Sequence, residues 1–208
     1  SQDEISMLKQ RTGMRHIEWL DSLGALDSDL QLVHCVWVDE GELDRIAKSG
    51  SLVVHCPVSN MYLASGVAPL KEMLDRSIPV ALGTDGPASH NSQDLLVTLK
   101  IAALLAKVST GDPTALPAAE ALRMVAGTGG RLFGREDLGC IAPGAKADVT
   151  VVDLDNAHCV PVHHPESALV YNAVGPDVRF VIVDGRVLPD EGRVTVLDEE
   201  SLRAECRK

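Results

Sequence analysis

Aromatic residues are scarce in this chain: two Trp, two Tyr and two Phe among 208 residues. An interior this poor in rings must be built from Leu, Val, Ala and Ile, and hydrophobic residues at 45% are ample for a packed core. Basic residues are also in deficit, with 19 Lys and Arg against 30 Asp and Glu, a formal net charge of −11. That balance argues against nucleic acid or an anionic membrane as partner, since both call for a basic face. Hydrophobic runs long enough for a membrane-spanning helix are missing. The five cysteines, Cys35, Cys56, Cys140, Cys159 and Cys206, are odd in number and form no C-x-x-C pair. They read as reduced thiols rather than a disulfide framework or zinc knuckle. No signal peptide is visible in the polar N-terminus, so a cytoplasmic location is expected. Ser1 stands where a Met would open a gene product, which reads as a processed, cut or cloned piece.

What is present is organised around Pro79–Asp94, PVALGTDGPASHNSQD. Val80-Ala81-Leu82 has no polar alternation, as suits a strand buried on both faces of a parallel sheet. Gly83-Thr84-Asp85-Gly86 then puts a carboxylate at the strand's C-terminal tip. A helix follows, with Asn91 or Ser92 as cap, Asp94 in its first turn, and Leu95, Leu96, Leu99 and Ala102 at helical spacing. In isolation Asp85-Gly86 is also an ordinary turn; what precedes it decides otherwise.

Residues 1–27 predict a helical start ending at Gly24. Leu30–Val33 predicts a strand that ends in His34-Cys35, and Asp39-x-x-Glu42 a capping box opening a helix that Gly50 stops. Leu52–Val54 predicts the next strand, ending in His55-Cys56-Pro57, with VSNMYLASG as a loop. Pro69 then starts a helix carrying Leu70, Met73 and Leu74. Three successive strand–helix units imply a parallel sheet with right-handed crossovers. A further helix is predicted from Pro117 to Ala126. The texture changes near Arg135: ADVTVVDLD and DVRFVIVDGRV alternate, and Asp184-Gly185 is a two-residue hairpin signal. Glu191-Gly192 marks a turn before a strand Arg193–Val196, and a short helix is predicted from about Asp198.

Each of the three strands ends in a polar residue, His34, His55 and Asp85. The C-terminal ends of barrel strands are where α/β barrels carry their chemistry. A His at a strand end is also often a hydrogen-bonded core residue, and that alternative stays open for His55. His163-His164, His16 and His158 read as surface residues, since neighbours such as His163 and His164 on an extended segment face opposite ways. Asp148 and Asp153 read as solvated or capping turns, and Lys107 and Lys146 as surface charges.

VHCVWVDEGEL, VVHCPVSNMYLASGVAP, VALGTDGPASHNSQDL and AALLAKVSTGDPTALPAAEALRM together resemble the amidohydrolase superfamily. Within it they are similar to the branch of methylthioadenosine/S-adenosylhomocysteine deaminases and triazine hydrolases. GAKADVTVVDLD and VRFVIVDGRV resemble that branch's C-terminal β domain. The resemblance implies an α/β fold: the C-terminal half of a metal-dependent (β/α)8 TIM barrel over residues 1–135, then part of a small β-sandwich domain plus a terminal helix over 136–208. It implies that Asp85 is a metal ligand that also shuttles protons and contacts substrate. His34 would stand beside the metal-bound water and polarise the reacting centre, and His55 would shape the loop on the substrate side. At His90 the resembling sequences more often carry Asn.

The family's H-x-H pair, its fifth-strand His and its general-acid Glu have no counterpart here, as if Ser1 followed just after that Glu. The implied cofactor is a divalent metal, zinc first, iron or manganese next. The implied activity is hydrolytic deamination of an aminopurine nucleoside or a similar small N-heterocycle. A triazine-type hydrolase, or a non-catalytic module without the full site, are the alternatives. The implied partners are the missing N-terminal half and, when intact, further copies of the chain. A half-barrel should expose two sheet edges and the inner face of its strands to water, leaving the piece alone aggregation-prone and inactive.

Overall fold

The computed structural model describes residues 1–190, 193–194 and 197–207. The N-terminal stretch is not one helix but two, α1 (Gln2–Thr12) and α2 (His16–Ser22), because Gly13 turns left-handed and closes the first. β1 (Gln31–Val33) follows, then α3 (Glu40–Ser49), opened by the Asp39/Glu42 capping box and stopped at left-handed Gly50 as the sequence predicts. Glu42 also accepts from Arg15 Nε at 2.8 Å and the Ile17 N–H at 3.0 Å, so this buried carboxylate staples α2 to α3.

β2 (Leu52–His55) comes next, and here the expected loop is a helix, α4 (Pro57–Tyr62). Pro57 occupies the first helical turn, where a missing N–H costs nothing. α5 (Leu70–Asp75), β3 (Val80–Leu82), the single turn α6 (Pro87–His90) and α7 (Leu95–Thr110) complete the third unit. The cap of α7 is Asp94 itself: its Oδ1 accepts from the N–H groups of Leu96 at 2.9 Å and Val97 at 3.1 Å. Asn91, read from sequence as a candidate cap, instead ends α6 in the left-handed region. α8 (Ala118–Val125) and α9 (Gly127–Arg131) follow.

The sheet order is β1-β2-β3, all parallel, with Leu32 opposite Val53 and Val54 opposite Ala81. Each strand is joined to the next through a helical layer. The core lies between sheet and helices, built on Leu43, Ile46, Val53, Met73, Leu99 and Leu116. The expectation that the strands' inner face is open to water holds only at β1. Val80, Ala81 and Leu82 are all buried, because α7, α8 and α9 pack against β3.

β4 (Val149–Val152), α10 (Pro165–Tyr171), a 3-10 turn (Gly175–Asp177), β5 (Val178–Val183), β6 (Arg186–Asp190), β7 (Arg193–Val194) and α11 (Glu199–Cys206) make up the remainder. β4 to β7 form one antiparallel sheet in sequence order, and β5 and β6 turn at Asp184-Gly185, both at positive φ. The expected turn at Glu191-Gly192 and the end of the strand to Val196 lie outside the described residues. α10 returns to α7 and α8, and Val170 joins the core of the parallel sheet. Among the described residues no helix is long and apolar enough to cross a membrane.

Candidate functional site

The three strands end side by side, so what leaves their C-terminal ends is gathered at one mouth. His34 and Cys35 turn left-handed straight after β1, at φ 70° and 46°, and Asp85 does so after β3 at 63°. Non-glycine residues rarely hold that conformation, and such strain concentrates where side chains must be aimed. Gly83 permits the close approach of strand ends beneath: a Cβ there would lie 2.9 Å from Val54 Cγ1 and 3.1 Å from Cys56 Sγ.

His34 and Asp85 are brought together, with His34 Nε2 3.8 Å from Asp85 Oδ2. Two residues that the sequence reading passed over as loop hold them. Ser59 Oγ donates to Asp85 Oδ2 at 2.6 Å, and Asn60 Oδ1 lies 2.9 Å from His34 Nδ1. Both are buried neighbours on α4. Nδ1 faces the Asn60 carboxamide oxygen and Nε2 faces Asp85, so each ring nitrogen has an acceptor before it. Pro57 one residue into the run after His55-Cys56 is the signal that would have revealed α4.

Asp85 is held as the anion. The Ser59 hydroxyl and then the Gly86 N–H, at 2.8 Å from Oδ1, take its pKa below the usual carboxylate range, with His34 adding to the effect. Its side chain is only a third exposed, and Gln93 Nε2 ties its carbonyl at 3.1 Å. His34, Asp85, Ser59 and Asn60 line a cavity of about 530 Å³ that Leu20, Leu32 and Trp37 wall on the apolar side.

His55 is not part of this group. It is buried, does not line the cavity, and its Nδ1 has no partner among the described residues. Burial, and secondarily the nearby His34, lowers its pKa to about 4, so it is neutral. His16, read as a surface residue, instead lines the cavity from α2. His90 is buried at the end of α6, with Nε2 3.0 Å from Thr98 Oγ1. Cys35, beside His34, is half-buried, and desolvation, with Glu42 nearby, pushes its thiol up to about 12, so it is inert. All five cysteines are free.

The donor set suits a metal in part. Asp85 offers an ionised oxygen beside the His34 imidazole, but among the described residues no three His, Cys, Asp or Glu ligands converge on it. A bound cation needs about three protein ligands, of which Asp85 is one candidate.

The chain is 45% identical over 204 residues to a 5'-deoxyadenosine deaminase of Methanosarcina acetivorans, covering 98% of this chain and 47% of that protein. Its structure superposes at a TM-score of 0.96 and 36% identity on an adenosine deaminase from Xanthomonas campestris with bound zinc, covering 99% of this chain and 47% of that one. It superposes at 0.92 and 30% identity on atrazine chlorohydrolase from Arthrobacter aurescens in complex with zinc, covering 98% and 45%. The chain thus spans about half the length of the relatives it matches. The model of the Amidohydrolase family matches residues 1–188, and the chain belongs to that family.

Proposed function

We propose that this chain is the C-terminal part of a metal-dependent hydrolase that deaminates an aminopurine nucleoside or a similar small N-heterocycle. In this reading residues 1–135 are the last three strand–helix units of a (β/α)8 barrel, and 136–208 contribute one sheet of a small β-sandwich. The carrying observation is the pairing of His34 with an ionised Asp85 at the mouth of parallel strands, 3.8 Å apart. The relative named as a deaminase and the zinc-bound adenosine deaminase superposition support the substrate class.

Asp85 would hold the cation, zinc first, together with ligands from outside these residues. When bound, the cation acidifies a water to a pKa of about 7 and polarises the reacting centre. The chain's own residues handle protons and position. Asp85 takes a proton from the attacking water at its carboxylate and returns it to the leaving amine. His34, its Nδ1 anchored on Asn60, offers Nε2 to a hydroxyl at the reacting carbon. Ser59 keeps Asp85 Oδ2 turned toward the cavity, and the apolar wall of Leu32 and Trp37 limits water. His55, sealed beneath, shapes the loop between β2 and α4 without reaching the substrate.

The superposition on atrazine chlorohydrolase favours a second reading, displacement of chloride or amine from a triazine. Adenosine derivatives and chlorotriazines, offered to the enzyme that contains this chain, separate the two. Loss of the amino-purine absorbance is expected, and chloride release without purine conversion favours the triazine. His34→Ala is expected to cut the rate about 10²–10⁴-fold with metal retained. Asp85→Asn is expected to abolish turnover and lower metal content by elemental analysis. Full activity and metal content in Asp85→Asn would remove Asp85 from the site.

A further inference from the structure

A second group of ligand-type side chains converges far along the chain from the mouth. After β4 the chain forms a turn at 156–159 that lies against the 3-10 turn Gly175–Asp177. His158, Cys159 and Asp177 meet there, with one ligand atom from each within 4.8 Å of the others. Cys159 is 4% exposed and Asp177 6%. The Cys159 thiol forms no hydrogen bond among the described residues, although the other two members are well connected.

Asp177 is fixed on both oxygens. Oδ1 accepts from Asn156 Nδ2 at 3.1 Å, while Oδ2 accepts from the Val174 N–H at 2.9 Å and lies 2.8 Å from His158 Nε2. Asn172 Nδ2 donates to the His158 carbonyl at 2.9 Å, which fixes that residue's backbone as well. The His158 ring is half-exposed, so the group is open to solvent on one side only.

We propose that His158, Cys159 and Asp177 form a metal site separate from the mouth, which takes a borderline divalent cation of the zinc type with water as its fourth ligand. Sulfur, imidazole and carboxylate together select zinc or cobalt over magnesium or calcium, which take oxygen ligands. Donor atoms around a tetrahedral zinc stand roughly 3.3–3.8 Å apart. The group must therefore adjust: the His158–Asp177 pair at 2.8 Å opens, which the half-exposed His158 ring allows, and Cys159 Sγ, within 4.8 Å of both, draws in toward the cation. On binding, the thiol proton leaves to solvent, the proton that His158 holds at Nε2 is exchanged through solvent for one at Nδ1, and the cation replaces the hydrogen bond between His158 and Asp177. Asn156 and the Val174 N–H remain as the supporting shell that orients the carboxylate. The site would clamp the segment between β4 and α10 to the turn that feeds β5.

Titration of the purified protein with Co²⁺ tests this directly, because a thiolate ligand gives a near-ultraviolet charge-transfer band and a tetrahedral site gives visible ligand-field bands. One equivalent with both features is expected, unchanged in Asp85→Asn, which separates this site from the mouth. Cys159→Ser is expected to abolish the charge-transfer band, and Asp177→Asn to weaken binding about tenfold or more. Should Asp177→Asn lose its circular dichroism, His158→Ala serves in its place, since that ring is half-exposed. No thiolate band in the unaltered protein, a band that survives Cys159→Ser, or one lost in Asp85→Asn would overturn the proposal.

Discussion

At the scale of single residues, the two strand-end histidines differ by environment rather than by sequence. His34 has one nitrogen anchored and one facing Asp85, whereas His55 is buried with an orphaned Nδ1. A buried imidazole with its pKa lowered to about 4 makes stability depend on pH. The unfolded chain binds the proton from about pH 6.5 downward and the folded one only near 4, so stability falls as pH drops through that window. The loss should approach about 3 kcal/mol, and His55→Gln should flatten it; urea midpoints from pH 4.5 to 7 measure both. Asp85 acts in a lower window, because its depressed pKa favours the fold above the normal carboxylate range and is lost as pH falls through the folded value. An acid arm unchanged in His55→Gln would mean that His55 is solvated. The strand-end positions of His34, His55 and Asp85 were legible because each follows a short apolar run, but not which two of them meet. Ser59 and Asn60 were not, because their importance lies in facing two strands distant in sequence, which no local period records.

At the scale of elements, strands and long helices were readable from apolar runs, caps and glycine stops, and α3 matches its capping box. What escaped was short and set by tertiary contact: α4, and α10 with its return to α7 and α8. Asp94 shows the difficulty. From sequence it is a first-turn acid, but in the fold it caps α7 with Oδ1 and accepts the Gly175 N–H at 2.7 Å with Oδ2. The approach is close enough that a Cβ on Gly175 would lie 2.9 Å from that oxygen. One carboxylate thus joins the parallel-sheet layer to the start of β5. Asp94→Ala removes a cap worth about 1 kcal/mol and strands a backbone N–H at about 1–3 kcal/mol, so a loss of roughly 2–4 kcal/mol is expected. Asp94→Asn keeps both acceptors only in part and should fall between. Hydrogen exchange at Leu96, Val97 and Gly175 reports it, and undiminished Gly175 protection in Asp94→Ala would show that the amide is shielded by other means.

At the scale of the whole molecule, the question is what covers the open sides of the parallel sheet. Among the described residues β1 and β3 each pair with β2 alone. Beside β3 the helices α7, α8 and α9 pack closely, so burial there is complete. At β1 nothing comparable occurs: Val33 is 51% exposed, and Met61, Tyr62 and Leu63 lie exposed after β2. A strand edge with free N–H and C=O groups beside apolar side chains is a template for another strand. The relatives this chain matches are about twice as long. The isolated 208-residue chain is therefore expected to self-associate through β1 and to be inactive. Light scattering coupled to size exclusion should give a mass well above 22.2 kDa. Placing Lys at Val33 should shift the population toward monomer, since a charge on an exposed edge opposes strand addition. A monodisperse 22.2 kDa species with a cooperative melt would show that the β1 edge needs no cover.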